Sequence, residues 1–161
     1  MPVTPFHLGP GAAFKAIGGR HFSFMVFGGA QVLMDIEPLV RIYLGTPVLH
    51  GPSHTILGAF VIGSIATVTG KPISQFFLDR YAIPHYRLTW LASCTGAFIG
   101  TFSHVVLDAI MHPDMHPWWP FSPDNALLGI ISVEALHVLC VICGVLGGIG
   151  IAARFARQGR T

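Results

Sequence analysis

Residues 100–121, GTFSHVVLDAIMHPDMHPWWPF, decide how this chain is read. Their first half ends an apolar run from Leu88 to Met111. A helix needs about 20 such residues to cross a ~30 Å hydrocarbon core, and this run is long enough. Yet it carries His104 and Asp108, and His112, Asp114 and His116 follow at once. His104 and Asp108 are four residues apart, so on a helix they share one face. A charged side chain at the centre of a membrane helix costs roughly 2.5–3.5 kcal/mol on insertion scales. The pair is therefore either a buried hydrogen-bonded couple or part of a metal or proton site.

The rest of the chain matches a membrane setting. Hydrophobic residues make up 52% of the 161 positions and charged residues only 10%, against about 25% in a soluble domain. Mean hydropathy is +0.65. Nine histidines outnumber seven acids, which favours metal or proton chemistry. No basic cluster or nucleic-acid motif occurs, so nucleic acid is not an expected partner. Cys94, Cys140 and Cys143 all lie in apolar runs and read as small packing residues. The start, MPVTPFHLGPG, lacks the basic region of a signal peptide.

Four apolar segments emerge: Phe22 to about Leu44, interrupted by Asp35, Glu37 and Pro38; Ser53–Thr69; Leu88–Met111; and Leu127–Ala153. The basic residues alternate between connections. Lys15 and Arg20 precede the first segment, Lys71, Arg80 and Arg87 follow the second, and Arg154, Arg157 and Arg160 follow the fourth, leaving only Arg41 elsewhere. The positive-inside rule then places these loops in the cytoplasm and the His- and Asp-rich connections outside. The expected fold is all-α, a polytopic membrane bundle of about four long helices plus a short N-terminal helix, forming one domain over 1–161. Trp118, Trp119 and Phe121 suit a membrane interface.

On this topology the polar residues converge. Asp35 and Glu37 lie near the outer end of the first segment. His50 and His54 flank the start of the second, and His104 and Asp108 end the third. Glu134 and His137 sit early in the fourth, three residues apart on one face. Mixed imidazole and carboxylate ligation suits zinc, with manganese or iron as alternatives.

Several stretches resemble the YdjM-like bacterial membrane proteins, identified as inner-membrane metal-dependent hydrolases. They are TPFHLGPG (4–11), QVLMDIEPL (31–39), LHGPSHTILGA (49–59) and SHVVLDAIMHPDMHPWWPFSPDN (103–125). The likeness covers most of the chain in order, and its most specific part is S-H-x-x-x-D followed by W-P-F. It implies His7, Asp35, His54, His104 and Asp108 as metal ligands. A more distant likeness joins the order His7, Asp35, His50 or His54, then His104 and Asp108, to zinc-dependent phospholipase C and the S1/P1-type nucleases. Those enzymes continue with a further His and His-x-x-x-Glu. This chain instead has His112, Asp114 and His116, then Glu134-x-x-His137, which favours one or two ions over three.

His7 conflicts with a cytoplasmic N-terminus unless residues 8–19 descend as a helix, GGRH turns, and residues 22–36 climb back. The expectation is therefore an N-terminal helical hairpin that brings His7 to Asp35. The expected function is a membrane-bound hydrolase of the bacterial inner membrane, with its site near the extracytoplasmic side. It would cleave phosphoester or other ester bonds of a lipid-type substrate with a metal-activated water, one or two zinc ions and membrane lipid as its partner. Glu37 or Glu134 would act as general base or would orient a ligand imidazole. The alternatives are a metal or proton transporter and a non-catalytic, metal-stabilised membrane protein.

Overall fold

The computed structural model describes residues 5–82 and 86–158. Met1 and His85 lie outside them. Among the described residues there is helix and turn but no strand. The helices are α1 (Leu8–Gly18), α2 (Phe24–Tyr43), α3 (Ile56–Phe77), α4 (Trp90–Met111) and α5 (Val133–Gln158). Single 3-10 turns at Pro5–His7, Gly19–His21 and Pro52–His54 precede α1, α2 and α3, and a π-helical turn, Leu78–Ala82, extends α3. The all-helical bundle with a short N-terminal helix matches the sequence expectation. Three helices, α3 to α5, are long and apolar enough to cross a membrane.

Local chemistry sets the helix starts. Ser23, Thr55 and Thr89 each hold extended backbone, and their hydroxyls accept from the N–H groups of Val26, Gly58 and Ala92. The hairpin between α1 and α2 forms as the His7 argument requires. Gly19 takes φ +52 at the turn, and Lys15 Nζ donates to the carbonyls of Gly19 at 2.8 Å and Phe22 at 2.9 Å. With 11 residues, α1 is about 16 Å long and covers only about half the hydrocarbon thickness.

Helix ends partly depart from the sequence reading. Helix α2 runs through Pro38 to Tyr43, close to the expected end, whereas α3 passes the expected Thr69 and continues through Pro72 to Phe77. Each proline removes one backbone hydrogen bond, but breaking the helix in apolar surroundings would strand several more. Conversely, α5 begins at Val133 rather than Leu127. The Asn125 side chain donates to Ala109 O and accepts from Leu127 N. Gly129, at φ +69, donates to Ile110 O. These bonds fold residues 125–132 back over the end of α4.

Helices α2, α3 and α4 pack together, with α4 the most buried. Helix α5 lies mainly against α1 and meets α4 through one buried apolar cluster, Leu107 and Ile110 against Leu136 and Cys140. Small residues set both spacings. A Cβ on Gly96 would lie 2.4 Å from Ser23 O, and one on Gly147 2.3 Å from the Ala12 carbonyl carbon. Such close backbone approach is how membrane helices gain packing without a hydrophobic drive between them. The outward faces of α3 and α5 are apolar, with Phe60, Val61, Val68, Val145, Leu146 and Ile149 all exposed.

The two ends of the bundle differ in chemistry. Arg154 donates to Ile17 O, Lys71 lies over the Trp90 ring, and Arg87 pairs with Asp79, all at the end holding the α1–α2 turn. The acids and imidazoles singled out from the sequence gather at the other end.

Candidate metal centre

Asp108 is the hub. It is buried in the last turn but one of α4, and five histidine side chains point at it. Its Oδ2 is 3.1 Å from His104 Nε2, 3.5 Å from His54 Nε2 and 3.8 Å from His50 Nε2. Its Oδ1 is 3.5 Å from His7 Nε2 and 4.0 Å from His112 Nε2. Asp35 joins from α2, with Oδ1 3.4 Å from His104 Nε2. The fold explains the meeting. The hairpin returns His7 to the level of Asp35, the 3-10 turn before α3 presents His54, and α4 carries His104 and Asp108 on one face. Met34, Ala59, Val105, Ala109 and Met115 form the apolar floor.

Outer groups fix the protons on three of the rings. The Gln31 amide donates through Nε2 to Gly100 O at 3.1 Å, which turns its Oε1 to accept from His104 Nδ1. The Ser53 hydroxyl gives its proton to Glu37 Oε2, so its oxygen accepts from His54 Nδ1 at 2.8 Å. Asp114 Oδ1 accepts from His50 Nδ1 at 2.9 Å, while its Oδ2 takes the backbone N–H groups of Leu49 and His50. Each ring therefore donates outward through Nδ1 and turns Nε2 inward, where a neutral ring offers a lone pair. Metal-binding histidines are oriented in this way.

Ionisation outside the helices agrees. Burial lowers the His7 pKa to about 4, and lowers those of His54 and His112, so these rings are neutral at pH 7. Burial raises the Asp114 pKa, but hydrogen bonds from the His50 side chain and from the His50 and Leu49 backbone outweigh it and hold it near 2.

With the rings neutral, the interior sets acceptors against acceptors. His54 Nε2 and His104 Nε2 lie 3.2 Å apart with a carboxylate oxygen beside each. His7 Nε2 and Asp35 Oδ1 are buried with no hydrogen-bond partner. Such groups cost free energy unless a cation meets them. A proton on one ring relieves one or two contacts; a divalent ion among them relieves all. Donors about 2.1 Å from a tetrahedral ion sit roughly 3.3–3.4 Å apart. The separations among Asp35, His54, His104 and Asp108 run from 3.1 to 3.5 Å along four edges. The residues present fit a divalent metal, and three overlapping groups of them could hold one.

All five residues expected as ligands, His7, Asp35, His54, His104 and Asp108, meet here. His50 and His112 join them, although the sequence left their roles open. Each stands four residues from an expected ligand, His50 before His54 and His112 after Asp108, but both lie outside the α-helices, so the spacing fixed no shared face. The two expected general bases separate. Glu37 reaches the centre through Ser53 and is paired with Arg41 at 2.8 Å, so it orients His54 rather than touching the interior. Glu134 is exposed in the first turn of α5 and is not among the grouped residues. His116 bonds the Pro123 carbonyl, and His137 stacks on Phe6 at 4.3 Å.

Beside His7, an apolar groove of about 240 Å³ runs between the start of the chain and α5, lined by Pro5, Phe6, Gly9, Cys140, Val141 and Gly144. Trp118 and Trp119 stand half-exposed in the loop after α4. Comparison with known protein families, with curated proteins and with solved structures returned no match for this chain.

Proposed function

We propose that this protein is a membrane-embedded, metal-dependent hydrolase acting on phosphoester or other ester bonds of a lipid-type substrate. One observation carries the reading: a buried interior of inward-facing imidazole lone pairs and carboxylate oxygens, set among apolar helices. Zinc is the first candidate, because mixed imidazole and carboxylate donors at near-tetrahedral spacing suit it best. Such an ion, when bound, polarises a phosphoryl or carbonyl oxygen and lowers the pKa of water towards neutrality. The residues supply the rest. Asp35, His54, His104 and Asp108, with His7 beside them, hold the cation. Gln31, Ser53 and Glu37 keep the rings turned inward. The apolar groove beside His7 and the lipid-facing walls of α3 and α5 support a substrate with hydrocarbon chains. The YdjM-like resemblance of the sequence points the same way.

Transport receives no comparable support. On α2, α3 and α4, the stretches Phe24–Met34, Ile56–Gly70 and Trp90–Ser103 contain no acid, base or imidazole, so no polar relay continues towards the other end. The test is elemental analysis of the purified protein, followed by a screen of lipid phosphoesters and carboxylic esters. His104→Ala and Asp108→Ala are each expected to lower bound metal and abolish hydrolysis together. Full metal occupancy in both variants would remove the ligand assignment on which the reading stands.

A further inference from the structure

We infer that the centre is dinuclear: Asp35, His54, His104 and Asp108 hold one divalent cation, and His7, His50 and His112 hold a second across the same Asp108 carboxylate. The inference rests on the metal-binding part of the function proposed above and is independent of hydrolysis.

Three observations carry it. First, the donors outnumber one ion. Five imidazoles and two carboxylates converge, whereas a tetrahedral centre takes four ligands. Second, the two oxygens of Asp108 face different sides. His54 and His104 lie closest to Oδ2, at 3.5 and 3.1 Å, while His7 and His112 lie off Oδ1, at 3.5 and 4.0 Å. His50 Nε2 is nearer Oδ2, at 3.8 Å, and belongs to the second set through its grouping with Asp108 and His112. A carboxylate placed between two donor sets in this way is suited to bridge. Third, the second set has its own supports and its own orphan. Asp114 and the His50 backbone hold the His50 ring with Nε2 inward, as Ser53 and Glu37 hold His54. The His50 and His112 rings stack at 4.5 Å and, with Asp108, form a group able to hold an ion. His7 Nε2, buried and unpartnered, points at the same oxygen as His112.

The two positions differ in access. The His54 and His104 side chains are fully enclosed, whereas that of His112 is 23% exposed. The second ion thus sits on the open side of the centre, where a substrate arrives. Paired ions about 3.5–4 Å apart are the arrangement that clamps the attacking and leaving oxygens of a phosphoester.

The experiment is a titration of the chelator-stripped, full-length protein in detergent with zinc, and separately with cobalt(II). Bound metal is counted per chain by elemental mass spectrometry. The wild type is expected to saturate at two ions. His112→Ala and His50→Gln are expected to saturate at one, and so is Asp35→Asn, which depletes the other set. Circular dichroism checks helix content in each variant. A wild type that saturates at one ion overturns the dinuclear centre and leaves the hydrolase reading standing. So does uptake of two ions by both His112→Ala and His50→Gln. No uptake at all overturns both. Two ions without any hydrolysis would leave this inference intact and remove the activity.

Discussion

Ser53 contributes one hydroxyl, yet that hydroxyl joins Glu37 to His54 and decides which nitrogen of the ring faces the interior. Outer partners of metal-bound histidines typically change affinity by about 10–100-fold. Ser53→Ala is therefore expected to weaken metal binding by about that factor while leaving the number of ions unchanged, as measured by competition with a chromophoric chelator. Glu134→Gln is expected to change neither affinity nor thermal stability, because the carboxylate is exposed and stands apart from the centre. A tenfold loss of affinity in Glu134→Gln would restore it to the site. The residues legible in the sequence were those whose neighbours constrained them. His104 and Asp108 share a face of a helix too apolar to hold them idly. His112 lies just past the helix end, where spacing no longer fixes direction. Glu134 and His137 share a face of α5, but nothing in the sequence told which way that face turns.

Helix contacts here depend on missing side chains. A Cβ at Gly147 would press on the backbone of Ala12, and backbone cannot swing aside. Gly147→Val is expected to destabilise the α1–α5 contact by about 1–3 kcal/mol, the usual range for overpacking. It should appear as a lower melting temperature in detergent and faster proteolysis of α5. Next to it, a Cβ on Gly148 would meet nothing within 4 Å. Gly148→Ala is expected to be neutral or to stabilise by up to about 1 kcal/mol, because alanine loses less backbone freedom in a helix. Equal destabilisation by the two would refute the packing. Four of the helices and their order were readable from hydropathy; α1 followed only from the need to bring His7 to Asp35. The end of α3 and the start of α5 were not readable: α3 continues past Thr69 through Pro72, where a break would strand peptide groups without internal partners. The apolar residues Leu127, Leu128, Ile130 and Ile131 look like helix in a hydropathy window. Asn125 and Gly129 instead tie them to the end of α4.

The bundle as a body has a basic end and an imidazole end. Lys15, Arg20, Lys71, Arg80, Arg87, Arg154 and Arg157 lie at the turns of one side, and His7, His50, His54, His104 and His112 gather at the other. On the positive-inside rule, the basic end is expected to face the cytoplasm. In a chain lacking Cys94, Cys140 and Cys143, Ser122→Cys is expected to react with a membrane-impermeant thiol reagent in intact cells. Ala156→Cys is expected to react only after permeabilisation. The reverse pattern would invert the protein and move its centre inside. This division was legible because charge asymmetry and helix alternation are counted from sequence directly. The pairing of α5 with α1 was not, since any of several helices could have received those small residues.

That pairing has a consequence for biosynthesis. The partner that holds α1 in place is the last of the helices to leave the ribosome, and roughly 130 residues separate the two contact strips. At about 5–20 residues per second, that is a delay of some six to twenty-six seconds. During the wait, the segment bearing His7 is held by its hairpin with α2 and by the contacts of its first turn with α4. The α1–α5 contact is therefore the last helix packing to close, after α4 has already brought His104 and Asp108 to the level of His7.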